Sequence, residues 1–116
     1  MANINLIEEK TGKSLKGKPT IVDIWAPWCG PCIFLSDHIK KIHDKYKDEM
    51  NLVKINTEED GGREIFAHYA SPLGVNGIPF ILFFNKDGEM VTHVLGAYVE
   101  KISDIADKLV NNSGEL

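Results

Sequence analysis

The chain is poor in cysteine, in positive charge and in long apolar runs, and each shortage excludes a class of protein. Two cysteines in 116 residues cannot build the multi-disulfide framework of a small secreted scaffold. Separated by two residues, they close too small a loop to restrict the unfolded chain much. In a reducing compartment such a pair points to catalysis or metal binding. A formal net charge of −4 argues against nucleic acid as a partner, which would favour a basic face. No stretch approaches the roughly 20 apolar residues of a membrane span, so no membrane partner is expected. No internal repeat, low-complexity tract or Pro/Gly/Ser-rich linker divides the sequence. Residues 1–116 are therefore read as one domain, long enough to bury a core without staples. Met1 to Leu15 lacks the apolar core of a secretory signal, which makes the cytoplasm the expected address. A leader removed ahead of Met1 is the alternative.

What is present is hydrophobic patterning of two periods. Asn3 to Ile7 is expected to form a short first strand, followed by a polar, Lys-rich stretch to Pro19. Thr20 to Trp25 contains a nearly continuous apolar run, as in a strand covered by helices on both faces. From Cys29 the period changes, and Cys32, Leu35, Ile39, Ile42 and Tyr46 follow in steps of three and four, the stripe of a helix on a core. Leu52 to Ile55 is a further strand and Arg63 to Tyr69 a further helix. Phe80–Phe84 and Met90–Leu95 are strands joined by Asn85-Lys86-Asp87-Gly88, whose residues suit a hairpin turn. Tyr98, Ile102, Ile105 and Leu109 mark a closing amphipathic helix. The expected class is α/β: a central mixed sheet flanked by helices, in the order βαβαββα with an N-terminal β(α) extension.

Chemistry concentrates in Trp28-Cys29-Gly30-Pro31-Cys32. A thiolate at a helix start is stabilised by free backbone N–H groups and the helix dipole, and the thiolate is the reactive form. Pro31 fits the first turn, where its missing N–H is not needed, and Gly30 gives the turn room. Cys29, at the exposed mouth, is the natural attacker, and Cys32, one turn deeper, the resolver. The competing reading is half a zinc site, but no second CxxC exists and His38 is badly placed to assist. Asp23 lies inside an apolar strand, where burial raises a carboxyl pKa and poises it to exchange a proton with Cys32. The alternative is an Asp facing water. Lys54, at matching depth on the next strand, tunes Asp23 or is a solvated edge lysine. Gly77-Ile78-Pro79 before an apolar strand is a candidate cis bond that frees the Ile78 backbone to pair with an extended substrate, or else an ordinary loop proline. His38, His43, His68 and His93 are read as packing or solvated histidines, and Phe83 and Phe84 as core.

The segment Asp23-Ile24-Trp25-Ala26-Pro27-Trp28-Cys29-Gly30-Pro31-Cys32 closely resembles the active-site segment of thioredoxins. The resemblance continues through Val53-Lys54-Ile55-Asn56, Gly74-Val75-Asn76-Gly77-Ile78-Pro79, Phe83-Phe84 with Asp87-Gly88, and Gly96-Ala97, in the family's order. It implies a thioredoxin fold with Cys29 as nucleophile, Cys32 as resolving cysteine, Asp23 as buried proton acceptor with Lys54 nearby, and Pro79 in cis. Trp28, Gly30, Pro31, Gly77, Ile78, Pro79 and Gly96 would form the surface that receives substrate proteins, with Trp25 packed beneath. Gly-Pro between the cysteines looks like the reducing members rather than glutaredoxins (Pro-Tyr) or oxidising relatives (Pro-His). The implied activity is reduction of protein disulfides by a monomer without a bound cofactor or metal, its Cys29–Cys32 disulfide regenerated by a thioredoxin reductase. An extracytoplasmic oxidase or isomerase and a thioredoxin-fold binding subunit are the alternatives.

Some residues depart from the family pattern. Ile33 stands where a basic residue is common, Phe80 where Thr is usual, and Asp37 where many members have a helix-kinking proline. The stretch between Asn56 and Gly74 is several residues longer than usual. Ile33 and Phe80 are expected to make the substrate face more apolar and so to shift partner preference.

Overall fold

A computed structural model describes residues 2–112 and 114–115. The elements run α1 (Asn5–Thr11), β1 (Thr20–Trp25), α2 (Gly30–Tyr46), β2 (Asn51–Asn56), α3 (Gly62–Ala70), β3 (Phe80–Phe84), β4 (Met90–Leu95) and α4 (Val99–Asn111). The strands form one sheet in the order β2-β1-β3-β4. β1 pairs in parallel with β2, while β3 is antiparallel to both β1 and β4. This is the mixed sheet expected from the sequence, with the hairpin at Asn85–Gly88.

Alternation along the strands divides the core in two. Val22, Ile24, Val53, Ile55, Phe80, Leu82 and Phe84 face α1 and α3. Ile21, Ile81, Phe83 and Val94 face α2 and α4, which contribute Leu35, Ile39, Ile42, Ile102, Ala106 and Leu109. Because side chains on a strand change face at every residue, Asp23 falls on the same side as Ile21, beneath α2. Lys54 shares that side through its register with Asp23.

The expected first strand over Asn3–Ile7 is not formed. Only Asn3 makes a bridge, to Glu89, and the chain is helical from Asn5. The Asn5 N–H donates to Asn3 Oδ1 at 3.0 Å, a local turn that opens a helix. Ile4 and Ile7 are both fully buried in one core. Residues three apart share a helix face but lie on opposite faces of a strand, so burial of both selects the helix.

Candidate active site

β1 ends at Trp25, and the chain turns through Ala26–Trp28 into α2. Cys29 is the residue capping that helix, in an extended conformation, and Pro31 lies in the first turn. Cys29 and Cys32 are joined as a disulfide with Cα atoms 5.2 Å apart. The sulfurs are not equivalent. The Cys32 N–H donates to Cys29 Sγ at 3.2 Å, so the capping position puts the first sulfur on a free helical N–H. Cys29 retains 6% of its surface and Cys32 none. The mouth expected at Cys29 is therefore nearly closed, and of the two cysteines Cys29 alone keeps any surface.

Ala26, Trp25 and Ile78 pack around the two cysteines. The Ile78–Pro79 bond is cis. The Gly96 N–H donates to the Pro79 carbonyl at 2.9 Å, which ties the loop after β4 to the loop before β3. Gly96 has φ +111°, and a Cβ there would lie 2.7 Å from the Tyr98 ring, so glycine is required. Trp28 is 69% exposed, and Gly30 and Pro31 are exposed beside it. A groove of about 480 Å³ opens between Trp28, Gly77 and Ile78 on one side and Thr57, Arg63 and Phe66 on the other.

Asp23 is completely buried, and neither carboxylate oxygen has a hydrogen-bond partner among the described residues. Burial pushes its carboxyl up to about 6, and the Lys54 ammonium opposes that rise. Lys54 is itself exposed. Its ammonium donates to Ser36 Oγ at 2.5 Å and lies 4.8 Å from the centre of the Trp25 ring, a cation–π arrangement.

The structure corrects one reading of the substrate face. Phe80 is fully buried and packs edge-on against Phe66 and His93. As the first residue of β3 it points toward α1 and α3, away from Cys29, so it adds nothing apolar to that face. Ile33 is half exposed beside Phe34, and Leu95 and Tyr98 are also open to solvent. The histidines serve packing: His38, His68 and His93 lie against Phe34, Tyr69 and Phe80, and the His43 ring is 3.0 Å from the Met50 carbonyl. Among the described residues no cluster of three His, Cys, Asp or Glu is placed to hold a metal ion. The sequence reading missed Ser36. Its spacing, four residues after Cys32 on one helix, was the available signal.

The profile of the Thioredoxin family matches residues 5–109. The chain belongs to the thioredoxin family. It is 40% identical over 79 residues to thioredoxin 1 of Synechococcus elongatus, spanning 68% of this chain and 67% of the relative. It is 42% identical to the thioredoxin of Pyropia yezoensis over the same shares. Among solved structures, oxidised thioredoxin O2 of Arabidopsis thaliana superposes with a TM-score of 0.69 at 26% identity, covering 90% of this chain and 83% of that one. Thioredoxin membership together with the bonded CxxC pair makes the chain a thiol–disulfide oxidoreductase whose activity is reduction of protein disulfides.

Proposed function

We propose that Cys29 is the nucleophile, Cys32 the resolving thiol and Asp23 the proton acceptor of this reduction, in a monomeric single-domain protein. The carrying observation is the inequality of the two cysteines: Cys29 keeps 6% of its surface and Cys32 none, and Cys29 Sγ accepts the Cys32 N–H. In the dithiol form the Cys29 thiolate attacks one sulfur of a substrate disulfide, and the other sulfur leaves as a thiolate. The Cys32 thiol then gives its proton to the Asp23 carboxylate and attacks Cys29 Sγ. The mixed disulfide breaks and Cys29–Cys32 closes as the second substrate sulfur leaves as a thiolate. Asp23 releases its proton to solvent, and the two substrate thiolates take protons from solvent to give the dithiol. Two electrons pass to the substrate. A flavoprotein thioredoxin reductase returns them, and the chain holds no cofactor of its own.

Trp28, Gly30, Pro31, Gly77, Ile78, Pro79 and Gly96 form the receiving surface in this reading, supported by the groove beside Trp28 and Ile78 and by the Gly96–Pro79 hydrogen bond. Trp25 supports the cysteines from beneath and carries the Lys54 ammonium on its ring. An extended substrate segment adds to the Ile78 backbone as a short strand. No helix is long and apolar enough to cross a membrane among the described residues, and cytoplasmic electron transfer is the proposed setting. Insulin reduction coupled to NADPH oxidation through an added thioredoxin reductase tests the scheme. Steady turnover is expected, and none with Cys29→Ser; turnover surviving that substitution would refute the assignment.

A further inference from the structure

The Lys54 ammonium is the charge that acts on Asp23, yet nothing in β2 itself fixes where that charge sits. Lys54 lies on an exposed position with a long flexible stem, and a lysine free to rotate keeps its ammonium in water. It makes no ion pair among the described residues. What holds it instead are the Ser36 hydroxyl at 2.5 Å and the Trp25 ring at 4.8 Å. Ser36 stands one helical turn beyond Cys32, so the same helix that presents the buried sulfur also anchors the charge.

We propose that Ser36 is a positioning residue of the active site: its hydroxyl pins the Lys54 ammonium over Trp25 and thereby sets the electrostatic field at Asp23. The inference rests on the reading of Asp23 as the proton acceptor for its functional meaning, although the field itself does not depend on that role. Ser36 touches neither sulfur nor substrate in this scheme.

The surroundings leave Lys54 as the adjustable charge. From β3, Asp23 is opposed by Ile81, and from β2 by Lys54. Its own strand contributes Ile21 and Trp25 on that side. α2 contributes the two cysteines, bonded to one another, with Asp37, His38 and Lys40 flanking Ser36 in sequence; the His38 ring is engaged with Phe34. α4 faces this layer with Ile102, Ala106 and Leu109, while its Asp107 is taken up by Tyr46 and Lys45. Moving one unit charge outward by a few ångströms weakens its interaction with a buried carboxylate without abolishing it.

The test is a carbon-13 NMR titration of the Asp23 carboxyl carbon in the oxidised protein. Ser36→Ala releases the ammonium to solvent and is expected to strengthen proton binding at Asp23 roughly twofold. Ser36→Thr keeps the hydroxyl and is expected to titrate as the parent does. Lys54→Met raises the midpoint further, and adding Ser36→Ala to it is expected to change nothing more, which isolates the pair from any general effect on α2. An unmoved or lowered midpoint in Ser36→Ala, a shift in Ser36→Thr as large as in Ser36→Ala, or an equal shift in the Lys54→Met background would each overturn the proposal. The oxidised protein undergoes no turnover in this measurement. Should the midpoint move as expected while the pH profile of mixed-disulfide resolution stays put, the positioning role would stand and the proton role of Asp23 would fall.

Discussion

The backbone N–H of Cys32 points at the sulfur of Cys29, 3.2 Å away. A hydrogen bond to the charged form of a group favours that form, so the helix start that makes a turn between the cysteines also favours the thiolate at the accessible one. Cys32 is fully buried, and among the described residues no hydrogen bond to its own sulfur is formed. The proposed order of attack, Cys29 first and Cys32 second, rests on this difference.

Cys32→Ser is therefore expected to retain attack and lose release. Mixed with a protein disulfide, it should accumulate a covalent adduct through Cys29 that reductant dissolves. Non-reducing gel electrophoresis with mass analysis of the linked peptide is the check, and a stable adduct formed instead by Cys29→Ser would reverse the assignment.

Asp23 gives a stability prediction with a defined sign. Its carboxyl titrates near 6 in the folded protein against an ordinary 3.8, because burial disfavours the charged form. Below about pH 3 the group is protonated in both the folded and the unfolded chain, so its titration makes no difference to stability there. Between about pH 4 and 6 the unfolded chain ionises while the folded carboxyl stays protonated, so stability falls by about 3 kcal/mol across that window and levels off above it. Asp23→Asn is expected to remove most of that fall, making the oxidised protein more stable than the parent at pH 7 to 8. Urea unfolding at pH 4 and pH 8 reads the difference; parallel losses in parent and variant would contradict it. The same variant should slow turnover at the resolving step.

Ile33 and Phe80, which look alike as departures from the family pattern, should behave differently. Phe80→Thr removes a fully buried ring that packs on Phe66 and His93 and is expected to cost about 3 kcal/mol of stability. Ile33→Lys alters a half-exposed side chain next to the disulfide and should leave stability nearly unchanged while shifting kcat/KM between substrate proteins. Denaturant midpoints beside kinetics on two substrates separate these cases.

Gly62 is expected to be intolerant for a reason of space. A Cβ there would lie 2.0 Å from the Asn56 carbonyl oxygen and 2.9 Å from its carbon, backbone atoms at the end of β2 that cannot swing aside. Gly62→Ala should destabilise the protein by about 2 to 3 kcal/mol by pushing α3 off the sheet. A thermal midpoint equal to the parent's would show that α3 can shift freely.

Much of this protein was legible in one dimension because its decisive signals are local. The change of period at Cys29 marked the start of α2, the apolar run around Asp23 marked a covered strand, and the turn residues at Asn85–Gly88 marked the β3–β4 hairpin. Asn3–Ile7 misled because five residues with three apolar members suit a strand or a helix turn equally, and only the shared burial of Ile4 and Ile7 distinguishes them.

The residue types and spacing of Trp28-Cys29-Gly30-Pro31-Cys32 determined by themselves that a reactive thiol sits at a helix start, since capping, proline tolerance and thiolate stabilisation are properties of a few adjacent residues, and the lack of a second CxxC in the chain favoured redox chemistry over zinc. Which face each side chain takes was decided only by the packed sheet. Register across β1 and β2 set Lys54 opposite Asp23, strand alternation turned Phe80 inward, and the seating of α2 on the sheet brought Ser36 to the Lys54 ammonium. Those relationships join residues 18 or more positions apart, and their formation depends on burying two apolar layers at once, a condition that no local window of sequence contains.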